Sequence, residues 1–301
     1  MLLFSLIVYP MYVGGDLSAY QKVYLVLSDL DILDGFDYYN ANLSSEEYIH
    51  FVISWVGSRF IAKDVLFSFC NAYLAFVTMS LLNTWRVSIW VGILILLTNF
   101  YFLVLYIPAE RLKFGFLFLI LSVKYRDKIW KAAPFAILAI LAHAQIAIVM
   151  ASVLLHAGGR SVFKLWRRGD FMALMQWVLV LIPLAVISVS LVEEHLISKF
   201  QTYYQMRGLE EVFRIVLFAL LSIFYSQERA EAVVLFVPMI VAALLLGGDR
   251  INMLGYFLFL FFALRVRGGV NAGVLITSAY FAYKSFDFLE QIYIYGEAFV
   301  Y

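Results

Sequence analysis

Long apolar stretches separated by short polar breaks run through the whole chain. A transmembrane helix needs about 20 predominantly apolar residues. The clear candidate spans are 64–82, 87–107, 171–192, 212–226, 232–247, 251–264 and 269–285. Two shorter stretches lie at 1–13 and 112–123, and another, 132–156, carries His143 near its middle. The pattern predicts an all-α polytopic membrane protein with about ten membrane helices, forming one integral membrane domain over residues 1–301.

Composition narrows the class of protein further. Of the 301 residues, 64% are hydrophobic and 14% are charged, and the mean hydropathy is +0.89. A soluble domain has about 45–50% apolar and about 25% charged residues, so a soluble enzyme and a disordered chain are excluded. The net charge of +1 provides no basic field for nucleic acid. Cys70 is the single cysteine, which excludes an intrachain disulfide and a multi-cysteine metal site.

Lysine and arginine collect in three short stretches between apolar segments. They are Lys124, Arg126, Lys128 and Lys131 in the first, Arg160, Lys164, Arg167 and Arg168 in the second, and Arg265 and Arg267 in the third. Short basic loops stay on the cytoplasmic side of a membrane. Segment 14–48 instead holds seven acidic residues and one lysine. We therefore expect residues 14–48 outside and the basic stretches inside.

Residues 132–156 are the apolar sequence between the first two basic stretches. A segment of 25 residues is too short to cross a membrane twice as full helices. The pattern favours a re-entrant hairpin with His143 near its tip, because non-helical backbone is tolerated where protein surrounds it. The alternative is one long helix. It would place one of the two basic loops outside, contrary to the rule that basic loops stay on the cytoplasmic side.

The same topology collects polar side chains at the outer face. They are Asp16, Tyr20, Glu46, Glu47, Arg59, Arg111, Glu193, Glu194, His195, Tyr203, Tyr204, Arg207, Arg214, Asp249 and Arg250. Ionisable groups at membrane depth are costly and usually functional, so we expect one outward-facing polar cavity, with His143 deeper. Tyr203 and Tyr204 suit a sugar-binding surface, but they suit an interfacial aromatic belt equally well.

Two carboxylates in this set are candidates for a general base. Asp16 follows two glycines, whose backbone freedom permits a sharp turn, and it would share a helix face with Tyr20. The alternative for Asp16 is a plain helix N-cap. Glu47 precedes an apolar stretch with polar interruptions. Glu47 also lies three residues after Ser44, which is the spacing of a capping box. In that alternative, Glu47 would only stabilise the start of a helix.

Two arginines and a histidine have the chemistry of a phosphate site. Arg111 and Arg250 each follow a turn and begin an apolar segment, and a guanidinium offers a planar fork that suits phosphate oxygens. Arg111 can equally pair with Glu110, and Arg250 with Asp249. His143 is either a packed core residue or a group that donates to phosphate or carries a proton.

The order of these features resembles the EpsG/Wzy family of polysaccharide and O-antigen polymerases. Such proteins have an early Gly-x-Asp-x-x-x-Tyr element, a Glu-containing segment, an arginine opening a short helix, a basic turn before an apolar run with a central histidine, and a late arginine. The matching residues here are Gly14, Asp16 and Tyr20; Glu46, Glu47 and Tyr48; Arg111; Lys124–Lys131 with His143; and Arg250. Two departures are Gly15 and Leu17 around Asp16, where the family has Thr and Tyr, and Tyr48 in place of a proline.

The resemblance implies a metal-independent membrane glycosyltransferase with a GT-C-like fold in the bacterial inner membrane, requiring no cofactor. Such an enzyme joins undecaprenyl-diphosphate-linked oligosaccharide repeat units into polysaccharide on the periplasmic side. The lipid-linked oligosaccharide is then both donor and acceptor. Membrane lipid surrounds the enzyme, and a chain-length regulator protein is a candidate partner.

The resemblance also suggests a role for each candidate residue. Arginines would stabilise the diphosphate leaving group, a carboxylate would act as the base, His143 would contact phosphate or acceptor, and tyrosines would contact sugar. The arginines are Arg111, Arg250, Arg207 and Arg214, the carboxylates are Asp16 and Glu47, and the tyrosines are Tyr20, Tyr203 and Tyr204.

The main alternative is a transporter or flippase for a lipid-linked or anionic substrate. Buried charges serve a transporter as well as an enzyme. Many transporters are built from two similar halves, and the sequence shows no internal repeat, which favours the enzyme. A ligase-like enzyme would share the chemistry and differ in its acceptor.

Overall fold

The computed structural model describes residues 1–44, 47–143, 145–153, 209–246 and 249–298, and throughout these ranges the regular structure is helical. The all-α prediction is therefore confirmed for this part of the chain. The helices are α1 (Leu2–Val8), α2 (Gly15–Leu27), α3 (Ile32–Leu43), α4 (Tyr48–Gly57), α5 (Lys63–Thr84), α6 (Ile89–Thr98), α7 (Phe100–Tyr106), α8 (Glu110–Lys124), α9 (Ile129–Ala142), α10 (Leu209–Tyr225), α11 (Arg229–Leu246), α12 (Asp249–Ala263) and α13 (Ala272–Tyr295). Tyr9–Met11 and Val266–Gly269 form short 3-10 turns.

Polar caps divide some of the apolar stretches into shorter helices. The predicted span 87–107 is two helices, α6 and α7, bent by 60°. The side chain of Asn99 accepts a hydrogen bond from the backbone N–H of Tyr101 at 3.1 Å and so begins α7 inside an apolar run. Residues with short polar side chains are preferred at the N-cap because they accept hydrogen bonds from backbone N–H groups that have no partner within the helix. The Asn271 side chain caps α13 in the same way.

The described helices differ in their capacity to cross a membrane. Among the described residues, α5 is the one helix that is by itself long and apolar enough to cross a membrane. Up to three spans are present if each bent pair, α6 with α7 and the 97° pair of Leu2–Met11 with Gly15–Leu27, counts as one. Several other helices are apolar but shorter. Apolar helices compatible with a membrane protein are thus present. The number of spans, about ten, remains a prediction. The predicted span 171–192 lies outside the described residues.

The chain divides into two compact units, Met1–His143 with Arg267–Tyr301, and Ala144–Val266. The single integral domain expected from the sequence stays a prediction. In the second unit, α10, α11 and α12 pack together through aromatic and aliphatic side chains. Phe218 on α10 contacts Tyr256 and Phe259 on α12. Ala232 and Leu235 on α11 form a small core with Phe262.

In the first unit, α5 and α8 run parallel. Near their N-terminal ends, the Lys63 ammonium lies 2.6 Å from the Glu110 carboxylate, and near their C-terminal ends the Lys124 ammonium donates to the Ser80 hydroxyl at 2.7 Å. Helix α9 returns along α8, with Phe135 stacked on Phe118 and Tyr125. The C-terminal end of α9 therefore lies beside the N-terminal ends of α4, α5 and α8.

The apolar stretch 132–156 breaks at His143. Helix α9 ends there in extended backbone (φ −162°, ψ 118°), and residues 146–153 are helical again. A break at His143 agrees with the turn expected there, whereas a re-entrant path through the membrane stays a prediction. The break frees the His143 side chain from the helix repeat and lets it reach across to α4.

The two ends of the first unit meet at the start of α2. The backbone N–H groups of Val13 and Gly14 donate to the carbonyl of Gly296, at 2.8 and 3.1 Å. Gly296 has a φ of +68°, which glycine adopts without steric cost. A Cβ on Gly14 would lie 2.7 Å from the Cβ of Glu297, so the absence of a side chain permits this approach.

We expect Gly14→Ala to weaken the contact between the chain ends, because the new methyl group would overlap the Glu297 side chain close to its backbone. Overpacking of this kind costs about 1–3 kcal/mol. Hydrogen exchange of the Val13 amide should accelerate accordingly. Gly92→Ala is the matched control, since its Cβ would meet the flexible ends of two side chains, the Met79 sulfur at 3.0 Å and Cδ1 of Leu82 at 3.3 Å, and no backbone. Equal protection of Val13 in both variants would contradict the expectation.

Candidate functional site

Glu47, Arg111 and His143 form a partly buried charged cluster. Glu47 is the N-cap residue of α4 without a side-chain capping bond, Arg111 is the second residue of α8, and His143 follows α9. One carboxylate oxygen of Glu47 bonds to Nδ1 of His143, and the other lies 3.0 Å from Nε of Arg111. The three side chains are 7–18% exposed. Helix packing thus joins residues that are 64 and 96 positions from Glu47 in the sequence.

The charge of Glu47 is stabilised by its two partners. Burial by itself would raise the pKa of the Glu47 carboxyl, but the hydrogen bond and charge of His143 and the charge of Arg111 outweigh it and lower the pKa to about 2. Glu47 is therefore ionised at neutral pH and is a weak proton acceptor. Because an ionised carboxylate only accepts hydrogen bonds, Nδ1 of His143 carries the proton in this pair.

Arg111 uses only part of its hydrogen-bonding capacity in this cluster. Its Nε faces Glu47, and its guanidinium carbon lies 5.4 Å from the centroid of the Tyr20 ring. A guanidinium has five N–H donors, more than Glu47 and Tyr20 together occupy. Arg111 can therefore bind a further oxyanion while it stays next to Glu47.

A second network is centred on the fully buried side chain of Glu110. Its Oε1 accepts from the Lys63 ammonium at 2.6 Å and from the Tyr9 hydroxyl, and its Oε2 lies 3.2 Å from Nε2 of His50. Nδ1 of His50 lies 2.9 Å from the Tyr39 hydroxyl. Since the Glu110 carboxylate only accepts, a neutral His50 donates to it from Nε2 and accepts from the Tyr39 hydroxyl at Nδ1, which gives both ring nitrogens a partner. We call Tyr9, His50, Lys63 and Glu110 the Glu110 network.

The cluster and the network are adjacent in both sequence and space. Glu47 and His50 are three residues apart at the start of α4, while Glu110 and Arg111 are consecutive at the start of α8. The Tyr20 ring lies between them, with its centroid 5.5 Å from that of His50. The two helix starts are therefore joined by two neighbouring pairs, Glu47 with Arg111 and His50 with Glu110.

Some sequence-predicted residues lie apart from this cluster. Asp16 is exposed in the first turn of α2, one turn before Tyr20. In the second unit, Arg250 is exposed at the start of α12 and Arg214 lies 3.9 Å from Glu210 on α10. Seven residues of the predicted outer-face set fall outside the described ranges: Glu46, Glu193, Glu194, His195, Tyr203, Tyr204 and Arg207. The structure thus brings together Glu47, Arg111, His143 and Tyr20.

Sequence patterns did not single out the Glu110 network. Glu110 entered only as an alternative partner for Arg111, yet Glu110 pairs with Lys63 and His50, and Arg111 pairs with Glu47. The available signal was the position of Lys63 and Glu110 at the edges of apolar segments. Among the described residues, no group of three or more His, Cys, Asp or Glu side chains is placed to hold a metal ion.

We expect Glu47→Gln to flatten the acid dependence of stability. A pKa lowered from 4.5 to about 2 stabilises the folded state above about pH 4.5, and this contribution is lost as the pH falls towards 2. The difference corresponds to about 3 kcal/mol. Thermal melts in detergent should show this loss in the wild type and not in Glu47→Gln, with exposed Asp16→Asn following the wild type. Parallel curves for all three proteins would refute the assignment.

Comparison with known proteins adds no relative to this geometry. No family model matches the chain, and neither does any curated protein or solved structure. The resemblance to the EpsG/Wzy polymerases therefore rests on the ordered residues of the sequence, and the function that it implies is a proposal to be argued from the cluster.

Proposed function

We propose that the protein is a membrane glycosyltransferase that polymerises lipid-diphosphate-linked oligosaccharide repeat units on the outer side of the bacterial inner membrane. The observation that carries the proposal is the cluster itself. It places a permanently charged guanidinium, some of whose donors have no partner among the described residues, next to a histidine whose proton position is fixed by a carboxylate. The apolar composition and the order of the EpsG/Wzy-like motifs support the membrane setting and the substrate class.

In the proposed reaction, a hydroxyl of the acceptor unit attacks the anomeric carbon of the donor glycan. A new glycosidic bond forms, the bond between that carbon and the diphosphate oxygen breaks, and the diphosphate leaves with the electron pair. Negative charge develops on the leaving oxygen. Arg111 would stabilise that charge, because a fixed guanidinium in a partly buried site needs little reorganisation when the charge appears.

His143 is the best-placed base for the acceptor hydroxyl. Glu47 is the weaker choice because its pKa of about 2 makes it a poor proton acceptor at neutral pH. Its contact with Nδ1 instead fixes the ring orientation, and in the proposed step Nε2 is the nitrogen that accepts the proton. The proton of the acceptor hydroxyl would pass to Nε2, and Glu47 would stabilise the resulting imidazolium.

The remaining candidates have weaker support. Tyr20 contacts both Arg111 and His50 and is proposed to help hold Arg111. Asp16 is exposed one turn from Tyr20 and remains a candidate base through the resemblance alone. Arg250 and Arg214 remain candidate diphosphate contacts through the resemblance alone.

We expect Arg111→Ala to abolish polymerisation in a strain whose own polymerase is deleted. Loss of the leaving-group contact should lower activity by about 100-fold or more, leaving single-repeat glycan where the wild type gives a full ladder. The matched control is Arg126→Ala, which removes a half-exposed arginine just beyond the other end of α8. The control should give the full ladder at the same protein level.

A full ladder from Arg111→Ala, made at the wild-type level, would overturn the leaving-group role. A wild-type protein that restores no ladder in strains with different repeat units would count against the polymerase itself.

We expect the base variants to rank in a fixed order in a purified assay with lipid-linked repeat units. His143→Asn should lose about 100-fold or more in turnover, because it removes the proton acceptor. Glu47→Gln should lose at least about tenfold, because a neutral amide no longer stabilises the imidazolium. Asp16→Asn should stay close to the wild type. If Asp16→Asn is as inactive as His143→Asn, the base is Asp16 and the assignment is wrong.

The alternative, a transporter or flippase of a lipid-linked or anionic substrate, is favoured by one observation. The Glu110 network buries a lysine, a histidine and a carboxylate together, and transporters commonly place such groups along a substrate or proton path. Movement of a labelled lipid-linked oligosaccharide across proteoliposomes by the purified protein, without any glycan elongation, would favour this function.

A further inference from the structure

We propose that Glu110, His50 and Lys63 are positioning residues that hold Arg111 and Glu47 in register at the catalytic cluster. The inference deepens the proposed function and rests on it for its effect on turnover. Its structural consequence, the placement of the Arg111 guanidinium, is measurable without any activity.

The first step is the anchoring of α8. Its N-cap, Ala109, provides no side-chain hydrogen bond, so another contact must fix the first turn of the helix. The Glu110 carboxylate is held by Tyr9 from the turn after α1, by His50 from α4 and by Lys63 from α5. Three elements thus converge on the residue that immediately precedes Arg111. Rotation of this turn would move Arg111 and break these buried bonds together.

The second step is the anchoring of α4. His50 is 2% exposed and bonds to Glu110 on one side of its ring and to Tyr39 of α3 on the other. One helical turn earlier, Glu47 meets Arg111. The pair of His50 with Glu110 therefore fixes the separation and the register of the two helix starts on which Glu47 and Arg111 lie.

The third step is the contact through Tyr20. Its ring centroid is 5.5 Å from that of His50, 5.4 Å from the Arg111 guanidinium carbon and 5.7 Å from the Lys63 ammonium. Tyr20 is 5% exposed. A displacement of His50 or Lys63 therefore moves the ring against which Arg111 rests.

Stability alone does not require this network. A buried ion pair is weak evidence for stability, because desolvation offsets much of the attraction between the charges, and apolar replacements of both partners are often equally stable. Removal of a single partner is harmful since it leaves an unpaired buried charge. A double replacement can therefore separate the effect on folding from the effect on position.

The test compares Glu110→Gln with the double variant Glu110→Gln/Lys63→Met in full-length protein. The melting temperature measures folding. The Nε–H nuclear magnetic resonance signal of Arg111, in arginine-labelled protein and assigned with Arg111→Lys, measures the contact with Glu47. Glycan elongation measures turnover.

We expect the single variant to melt well below the wild type and the double variant to recover most of that loss. The Arg111 signal should nevertheless remain displaced in the double variant, and turnover should stay about 10–100-fold low, as expected for a small misplacement of a catalytic group.

A second pair of variants covers the case in which neither protein folds. His50→Leu removes the bond to Glu110, whereas His50→Gln keeps an amide that can donate to it. Displacement of the Arg111 signal in His50→Leu and its restoration in His50→Gln would support the positioning role.

An Arg111 signal that is unchanged in the double variant, or in His50→Leu, would overturn the inference and leave the network with a purely structural role. Failure of the proposed function gives a different result. In that case the Arg111 signal would respond to these variants while the wild type elongates no glycan with any lipid-linked repeat unit.

Discussion

The burial of one carboxylate, that of Glu110, constrains the arrangement of the first unit. Its side chain is fully enclosed, and a buried charge persists only where it is paired and hydrogen-bonded. Lys63, His50 and Tyr9 provide these partners from separate elements. The helices that carry them must therefore end or begin at the same place, and this requirement brings the start of α4 next to the start of α8.

The cluster of Glu47, Arg111 and His143 depends on that convergence. Each of its residues lies at a helix end, where the side chain extends beyond the packed core and keeps partial exposure. The Glu110 network is sealed from solvent, whereas the cluster is partly open. A sealed network holds its groups in place, whereas a partly open cluster can admit a substrate. This difference in burial is the basis for assigning a positioning role to the Glu110 network and a chemical role to the cluster.

Sequence patterns predicted several of these features and missed others. An apolar run with few breaks indicated helices throughout, and the described residues confirm it. The apolar stretch 87–107 gave no sign of the break at Asn99. One polar residue barely changes the mean hydropathy of a span, although its side chain can begin a new helix. The position of Asp16 after two glycines indicated a candidate general base, yet its side chain is exposed in the structure. Local spacing identified a turn there and carried no information on what the carboxylate would face.

The sequence by itself determined the helical, apolar character of the chain and named Glu47, Arg111 and His143 as candidates. These properties depend on residue type and on spacing along one helix, which are local. Only the tertiary structure decided that Glu47 pairs with Arg111 and His143, and that Glu110 is buried with Lys63 and His50. The partners lie up to 96 residues apart. Their contacts are set by which helix faces pack together, and no local pattern in the sequence records that choice.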